Sequence, residues 1–304
     1  MKKLFICGML TLPVVTGMFV SSCGNSKSGG DDHSADTSKV DSFAVSNLTA
    51  ENNEMMYLVP APGEMIRFVR DVSKKNNKNI SFLNPIDNAK KYVVMKAKAL
   101  NFGIYSCDLS YCSTFEIGTE AVKYLKVVKQ FGEDIGVSST VQPSMIKRIE
   151  ANIDKPDSLE FLSNDIYLSS FETLQNGEQG VTLALVIAGG YVESLHVICN
   201  LTKYEAKSSA IDRIAEQKYT LDNIIEFSRK YESDISVAEV ITQLSELKAL
   251  FDQLQEKTVE TAKTKTEKGK TVLGGGTIIE MTADQYKGIS EKIKSIRNSF
   301  AQIN

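Results

Sequence analysis

The amino-acid sequence predicts an all-α fold, a multi-helix bundle with one small β-hairpin near the C-terminus. Apolar residues recur at three- and four-residue spacing through most of the chain after residue 60, which is the pattern of amphipathic helices. Alternation with a period of two, the pattern of strands, is confined to about residues 258–281. A solenoid-like stack of paired helices stays open as an alternative arrangement, although no repeat with a period of about 20 to 50 residues is visible.

Several of the predicted helices begin at a recognisable start signal. Asn84-Pro85 is typical of a cap followed by the first turn of a helix. Later starts are indicated by Asp157 with Glu160, by Thr220, by Ser236 with Glu239, and by Thr282 with Gln285. The predicted helices cover about residues 64–75, 86–103, 114–135, 142–153, 157–174, 181–201, 209–217, 221–231, 236–256 and 282–300.

The helix at 181–201 differs from the others because it is apolar on every side. Residues 183–192 are almost unbroken apolar and include Gly189 and Gly190. A helix without a polar face is expected to be central and buried, and paired glycines allow a neighbouring backbone to approach closely. A strand is the competing prediction for residues 181–187, but the Ala, Gly and Glu content that follows favours a helix.

The predicted hairpin lies between the last two helices. Residues 258–266 alternate Thr and Val with polar residues, Glu267-Lys268-Gly269 forms the turn, and residues 270–281 return through three consecutive glycines. Two such strands do not form a sheet-based core by themselves.

The first residues of the chain predict export and lipid attachment. Lys2 and Lys3 precede an apolar run at 4–20 that is broken by two glycines and a proline, as in a secretory signal peptide. The sequence Val20-Ser21-Ser22-Cys23 that follows resembles the bacterial lipobox, in which the cysteine is lipidated and becomes the first residue of the mature chain. We therefore expect a signal peptide at 1–22, a lipid anchor on Cys23 and attachment to the lipid bilayer of the outer membrane, with the periplasmic and surface leaflets both open.

A flexible tether is expected to follow the anchor, at residues 23–54. Fifteen of the 27 residues from 24 to 50 are Gly, Ser, Asp or Asn, and no apolar periodicity survives. A single helical domain is expected to occupy residues 55–304, with the hairpin inside it.

The composition of the chain excludes several classes of function. Thirty-five Lys and Arg against 38 Asp and Glu leave no basic surplus with which to neutralise the phosphates of a nucleic acid. Two histidines and five cysteines leave little material for metal or nucleophile chemistry. No cofactor is predicted, and a catalytic role is not favoured.

His196 is the one histidine that follows the tether, and it has candidate metal ligands near it. Glu193 and Cys199 lie three residues to either side, so on a helix the three side chains share one face. Cys107 and Cys112 would complete a set of ligand types suited to zinc. The competing interpretation is a helix that passes from fully buried to half buried. If residues 107–112 form a loop, these two cysteines can form a disulfide, whereas on a helix they point apart.

The segment at 103–116 is predicted as an aromatic-rich turn. Tyr105, Asp108 and Tyr111 form the densest cluster of hydrogen-bonding and stacking groups in the chain, so they are candidate ligand-binding residues. A pocket for a small apolar ligand beside the helix at 181–201 is a related possibility.

Segments 103–116 and 185–195, together with the glycine-rich hairpin and the last helix, resemble a family of predicted lipoproteins from gut Bacteroidetes. The resemblance covers about residues 55–304 and implies an all-helical envelope protein. The family has no established activity, so the resemblance implies no catalytic residues.

The expected function is that of a membrane-anchored envelope lipoprotein, a binding or structural module that presents its helical domain to an unidentified envelope protein or polymer. The alternatives are a helical binder of a small ligand beside residues 181–201, and a metal- or thiol-dependent enzyme that uses Glu193, His196 and Cys199.

Overall fold

Ten α-helices dominate the computed structural model, which describes residues 59–73, 77–140, 142–152, 155–259, 266–267, 270–271 and 276–302. The predicted signal peptide, Cys23 and the tether lie outside these residues. The predicted all-α fold with a hairpin near the C-terminus is confirmed. The helices are α1 (Pro62–Ser73), α2 (Met95–Thr114), α3 (Gly118–Asp134), α4 (Pro143–Ala151), α5 (Pro156–Asn176), α6 (Gly180–Leu201), α7 (Ser209–Ala215), α8 (Gln217–Arg229), α9 (Ile235–Phe251) and α10 (Ala283–Phe300).

Helices α2 and α6 form the centre of a bundle. They pack against each other more extensively than any other two elements, although three helices separate them in the chain. Helix α2 also contacts α1, α3 and α5, while α6 contacts α1, α9 and α10. In a solenoid each unit would contact only its neighbours in sequence, so this pattern of packing favours the bundle over the stack of helix pairs.

Glycines allow α2 and α6 to approach at backbone distance, as the sequence predicts. A Cβ atom on Gly189 would lie deep inside van der Waals contact of the Leu100 carbonyl oxygen. From the other helix, a Cβ on Gly103 would overlap the Val186 carbonyl oxygen in the same way. These glycines are required because any side chain at the crossing would force the two helices apart.

Helix α6 is long and apolar enough to cross a membrane by length and composition, with a mean hydropathy of 1.7 over its most apolar window. However, 89% of that window is buried inside the protein, as expected for the central helix of a bundle. The prediction of a buried helix at 181–201 is confirmed, and the competing strand is wrong.

The aromatic-rich turn predicted at 103–116 is wrong, because these residues belong almost entirely to α2. Residues 99–114 of this helix are all buried, so no polar face marks it as a helix in the sequence. Its polar side chains are accommodated within the helix. Ser110 and Ser113 each donate a hydrogen bond to the carbonyl one turn earlier, at 3.0 and 2.9 Å. The helix predicted at 86–103 is accordingly a short 3₁₀ helix at Ile86–Lys91 followed by the start of α2.

One predicted capping box is confirmed and another is wrong. Thr282 caps α10, and its side chain and that of Gln285 bond reciprocally to the backbone of the first turn. Helix α9 starts earlier than Ser236, because Asp234 accepts hydrogen bonds from the amides of the first turn at 2.8 and 3.3 Å. Glu239 forms an ion pair with Lys96 instead of a cap.

Two further predicted caps lie inside helices. Asp157 follows the first residue of α5, whose N-cap is Lys155, and Thr220 lies in the first turn of α8. Glu160, the expected partner of Asp157, forms ion pairs with Arg67 and Arg70 of α1. The carboxylate of Glu160 therefore fastens two helices together.

The hairpin starts three residues earlier than predicted, and α9 correspondingly ends at Phe251. Strand β1 (Gln255–Val259) pairs antiparallel with β4 (Gly276–Glu280), and Lys257 lies opposite Ile278. Strands β2 (Thr266–Glu267) and β3 (Lys270–Thr271) form a second short antiparallel pair. The predicted turn residues 268–269 and Gly274–Gly275 lie outside the described residues.

Candidate functional site

A cluster of charged and amide side chains lies at the centre of the bundle. It consists of Asn84, Asp108 of α2, Glu193 of α6 and Arg297 of α10, and we call it the buried polar cluster. Asp108 and Glu193 are 0% exposed, and Arg297 is 8% exposed. The crossing of α2 and α6 brings the two carboxyl groups together, and α10 supplies the cation.

Arg297 binds Glu193 through two donors of its guanidinium group. Its Nε donates to Oε2 at 2.8 Å and its Nη2 donates to Oε1 at 3.3 Å. This forked geometry is among the strongest arrangements for an arginine and a carboxylate. Because Glu193 is fully enclosed, the ion pair is shielded from solvent, and removal of either partner leaves the other charge buried.

Asp108 is the unusual member of the cluster. Its Oδ2 accepts a hydrogen bond from the backbone amide of Asn84 at 3.1 Å, whereas its Oδ1 has no donor among the described residues. Burial raises the pKa of the Asp108 carboxyl well above its ordinary value, and the charge of nearby Glu193 raises it further, while Arg297 opposes these effects. The raised pKa favours the neutral, protonated form of the Asp108 carboxyl.

The cluster also secures the C-terminal end of α10. The Asn84 side chain donates to Tyr92 Oη at 3.1 Å and to Asn101 Oδ1 at 3.0 Å. Asn101 in turn donates to the Phe300 carbonyl at 3.1 Å, and Tyr92 donates to the Ala301 carbonyl at 3.0 Å. These bonds satisfy carbonyls at the end of a helix that have no partner within it.

Asp108→Asn is expected to flatten the dependence of stability on pH. A carboxyl whose folded pKa is raised contributes stability that is complete below its unfolded pKa and is lost as pH rises through its folded pKa. Above about pH 4 the variant should therefore become increasingly stable relative to the wild type. The difference between their free energies of unfolding should grow by up to about 1.4 kcal/mol per pH unit. Urea unfolding across pH 4 to 8 measures this difference. The exposed Asp87→Asn variant serves as the control, and parallel profiles for all three proteins would contradict the expectation.

The three candidate ligand-binding residues hold one segment of the chain against α2. Tyr105 donates to the Pro85 carbonyl at 2.8 Å, and Tyr111 donates to the carbonyls of Asn77 and Asn79, each at 2.9 Å. Asp108 accepts from the amide of Asn84, as described above. All three side chains are buried, so in this conformation they bond to backbone rather than to a ligand.

The structure does not bring the candidate metal ligands to a common point. Glu193 faces Arg297, while Nε2 of His196 lies 3.2 Å from the Phe82 carbonyl oxygen, and burial lowers the pKa of this histidine. Cys199 faces Tyr286 and Ser290, and burial raises the pKa of its thiol to about 12. Among the described residues, no three His, Cys, Asp or Glu side chains are grouped so that they could hold a metal ion.

Cys107 and Cys112 lie on α2 and are both free thiols. Of the two alternatives for residues 107–112, the helix therefore holds, and on it the two cysteines do not form a disulfide. The Cys107 Sγ lies 3.6 Å from the Ser194 hydroxyl of α6. Burial raises the pKa of both thiols well above the ordinary value, so neither has the character of a reactive nucleophile.

An open polar surface of the described residues lies elsewhere, in a groove beside α4 and α5 that we call the α4–α5 groove. It consists of two depressions of about 440 and 390 Å³ that share Arg148. The motifs and periodicities of the sequence do not predict this groove. One residue in the sequence could have indicated it. Phe161 is a large apolar residue of α5 that does not lie on the face of this helix that packs against the core. The residues that line the groove include Gln142, Ser144, Asn152, Phe161, Glu172 and Thr173.

A third depression, of about 510 Å³, lies beside α3. The segment that Tyr105 and Tyr111 hold in place forms one wall of it, including Leu83 and Pro85, and Tyr124 of α3 contributes to the other wall. Tyr124 donates a hydrogen bond to the Asn84 carbonyl at 3.1 Å. Because Asn84 belongs to the buried polar cluster, this bond connects the wall to that cluster.

No family model, curated protein or solved structure matches this chain. Its function is therefore inferred from the geometry of its own residues.

Proposed function

We propose that this protein is a lipid-anchored protein of the bacterial envelope whose helical body acts as a binding module without catalysis. The observation that carries this proposal is the enclosure of the buried polar cluster. Asp108 and Glu193 have the chemistry of an acid–base pair, but both are 0% exposed, Glu193 is paired with Arg297, and Asp108 accepts a hydrogen bond from the Asn84 amide. A substrate would need access to them, so their arrangement supports a structural role.

The two alternative functions have less support from the described residues. An enzyme that uses Glu193, His196 and Cys199 would need these side chains to converge, and each faces a different neighbour. A small-ligand pocket beside residues 181–201 would need open space along α6, where residues 183–198 are buried against other helices. The three depressions described above are all lined by residues outside α6.

The first part of the proposal rests on the N-terminal sequence. A charged start, an apolar run and a lipobox-like cysteine support export and acylation at Cys23. More than one acyl chain on this cysteine would give stable attachment, which a single chain does not. The polar stretch after it would then hold the helical body away from the bilayer.

Cys23→Ala is expected to abolish lipid attachment. In cells grown with radiolabelled palmitate, the wild-type protein should carry the label and sediment with the membranes, while the variant carries none. Cys7→Ala is the matched control, because Cys7 lies within the predicted signal peptide and should not affect labelling. A labelled Cys23→Ala protein, or an unlabelled wild type, would overturn the anchoring part of the proposal.

A further inference from the structure

The α4–α5 groove has the dimensions of a ligand site. Its two depressions measure about 440 and 390 Å³, and each falls within the range of about 300–1,000 Å³ that is common for small-molecule sites. Arg148 lines both depressions, which makes them adjoining parts of one groove. A ligand that extends past Arg148 can therefore contact both parts.

Among the described residues, the charges that line the groove are balanced. They are Arg148 and Glu172, and neither side chain forms an ion pair or hydrogen bond with another described residue. One cation and one anion favour an uncharged ligand over a polyanion or a polycation. A ligand with many hydroxyl groups can use both, because a hydroxyl donates to the carboxylate of Glu172 and accepts from the guanidinium of Arg148.

The remaining polar groups of the groove suit the same kind of ligand. Gln142 and Ser144 contribute an amide and a hydroxyl group that both donate and accept hydrogen bonds, and so does Asn152, whose amide nitrogen also donates to the Arg148 carbonyl at 2.6 Å. Such mixed groups match a ligand whose hydroxyls can also act in both ways. A ligand with only acceptors, such as a phosphate, would leave half of these groups without a partner.

Phe161 supplies an apolar surface at one end of the groove. Its side chain is 65% exposed, which is unusual for a phenylalanine on a bundle helix. Phe161 and Glu172 are 11 residues apart on α5, or three turns, so they lie on one face of the helix about 16 Å apart along its axis. The face of an aromatic ring can pack against the C–H groups of a sugar ring.

We propose that the α4–α5 groove binds a neutral oligosaccharide. Phe161 packs against the apolar face of one sugar ring, while Arg148 and Glu172 hydrogen-bond the hydroxyl groups of neighbouring rings. The distance along α5 suits several rings better than one. This inference rests on the proposed binding function and names its class of ligand.

The chain itself offers a direct test, because it contains no tryptophan. Phe161→Trp keeps an aromatic face and adds a single fluorescent reporter to the groove. The full-length variant, purified in a detergent without a sugar headgroup, is titrated with hexasaccharides of α-1,4-glucose, β-1,4-glucose, β-1,4-xylose, β-1,4-mannose and β-1,4-N-acetylglucosamine. We expect a saturable change in emission with at least one of them. The matched control is Tyr219→Trp, which places the reporter at an exposed aromatic position on α8 outside the groove and should show no change.

Calorimetry with the same hexasaccharide identifies the residues that bind it. Each variant is made in the wild-type protein. Phe161→Ala is expected to weaken binding at least tenfold, and Arg148→Met and Glu172→Gln are each expected to weaken it at least fivefold. These side chains are exposed, so the variants should fold normally, which circular dichroism checks. The proposal is overturned if no hexasaccharide binds at millimolar concentration, if binding survives Phe161→Ala, or if the groove instead binds peptides through these residues.

Failure of this inference and failure of the proposed function give different results. If the protein incorporates palmitate at Cys23 but binds no hexasaccharide, the anchoring proposal stands and the saccharide-site proposal fails. If the protein binds a hexasaccharide through Phe161 but incorporates no palmitate, the saccharide-site proposal stands and the anchoring proposal fails.

Discussion

Gly189→Ala is expected to destabilise the protein by about 3 kcal/mol or more, at the upper end of what overpacking costs. The added methyl group would overlap the Leu100 carbonyl oxygen and also crowd the Leu100 Cα and carbonyl carbon. Backbone atoms of a helix cannot rotate away as a flexible side chain can, so α2 and α6 would have to separate. Because these helices form the centre of the bundle, their separation weakens packing in most of the core.

Chemical unfolding followed by circular dichroism measures this effect. Gly288→Ala is the control, because a Cβ on this glycine of α10 would have nothing within 4 Å. That variant should be stabilised by about 0.5–1 kcal/mol, since alanine is the better helix former. Gly103→Ala, which meets the same crossing from α2, should behave like Gly189→Ala. An unfolding midpoint for Gly189→Ala equal to that of the wild type would contradict the expected backbone contact.

The close approach at this crossing is one part of the fold that the sequence predicts. Two adjacent glycines within an unbroken apolar run have few explanations other than a neighbouring backbone. The capping box at Thr282 and Gln285 is predicted for a similar reason, because the signal is local and no tertiary contact competes with it. Asp234, by contrast, caps α9 two residues before the expected Ser236, and a spacing rule does not distinguish two capping residues that lie so close in the chain.

Helix α2 shows why other parts of the fold are not predictable from local patterns. Its Ser, Cys, Asp and Tyr residues are typical of a turn, but in the bundle they bond to the helix itself, to α6 and to the segment at 77–85. The partners in α6 and in the segment at 77–85 are distant in sequence, so the local periodicity of apolar residues does not predict them. A helix buried on every side has no amphipathic pattern to find.

The same limit applies to the buried polar cluster. Glu193 is a candidate on sequence grounds, but its partner Arg297 is 104 residues away. One signal is present in the sequence. Arg297 follows Ile293 by four residues, so it lies on the apolar face that Ile289, Ile293 and Ile296 form on the last helix. A charge on an apolar face indicates a buried partner, because an unpaired charge there would be very costly.

Arg297→Met is expected to destabilise the protein by about 3–5 kcal/mol at neutral pH, the range for removing one partner of a buried ion pair. Methionine can fill much of the volume of the arginine stem, but it leaves the carboxylate of Glu193 enclosed without a cation beside Asp108. Arg297 opposes the raised pKa of the Asp108 carboxyl, so without it the folded state would hold a proton on Asp108 more strongly. Stability should therefore recover as pH falls, and the loss relative to the wild type should be smaller at pH 5 than at pH 8.

A variant on the same helix separates this effect from the loss of a surface charge. Lys292 of α10 forms an ion pair with Glu246 at 2.9 Å, and that pair is exposed to solvent. Lys292→Met should cost no more than about 1 kcal/mol and should show no comparable dependence on pH. The double variant Arg297→Met with Glu193→Leu tests the argument from the other side. Since no charge is left unpaired at Glu193, it should recover most of the stability that Arg297→Met loses. If instead the double variant is less stable than Arg297→Met, the cost lies in lost packing of α10 against α6, and the buried charge is not its cause.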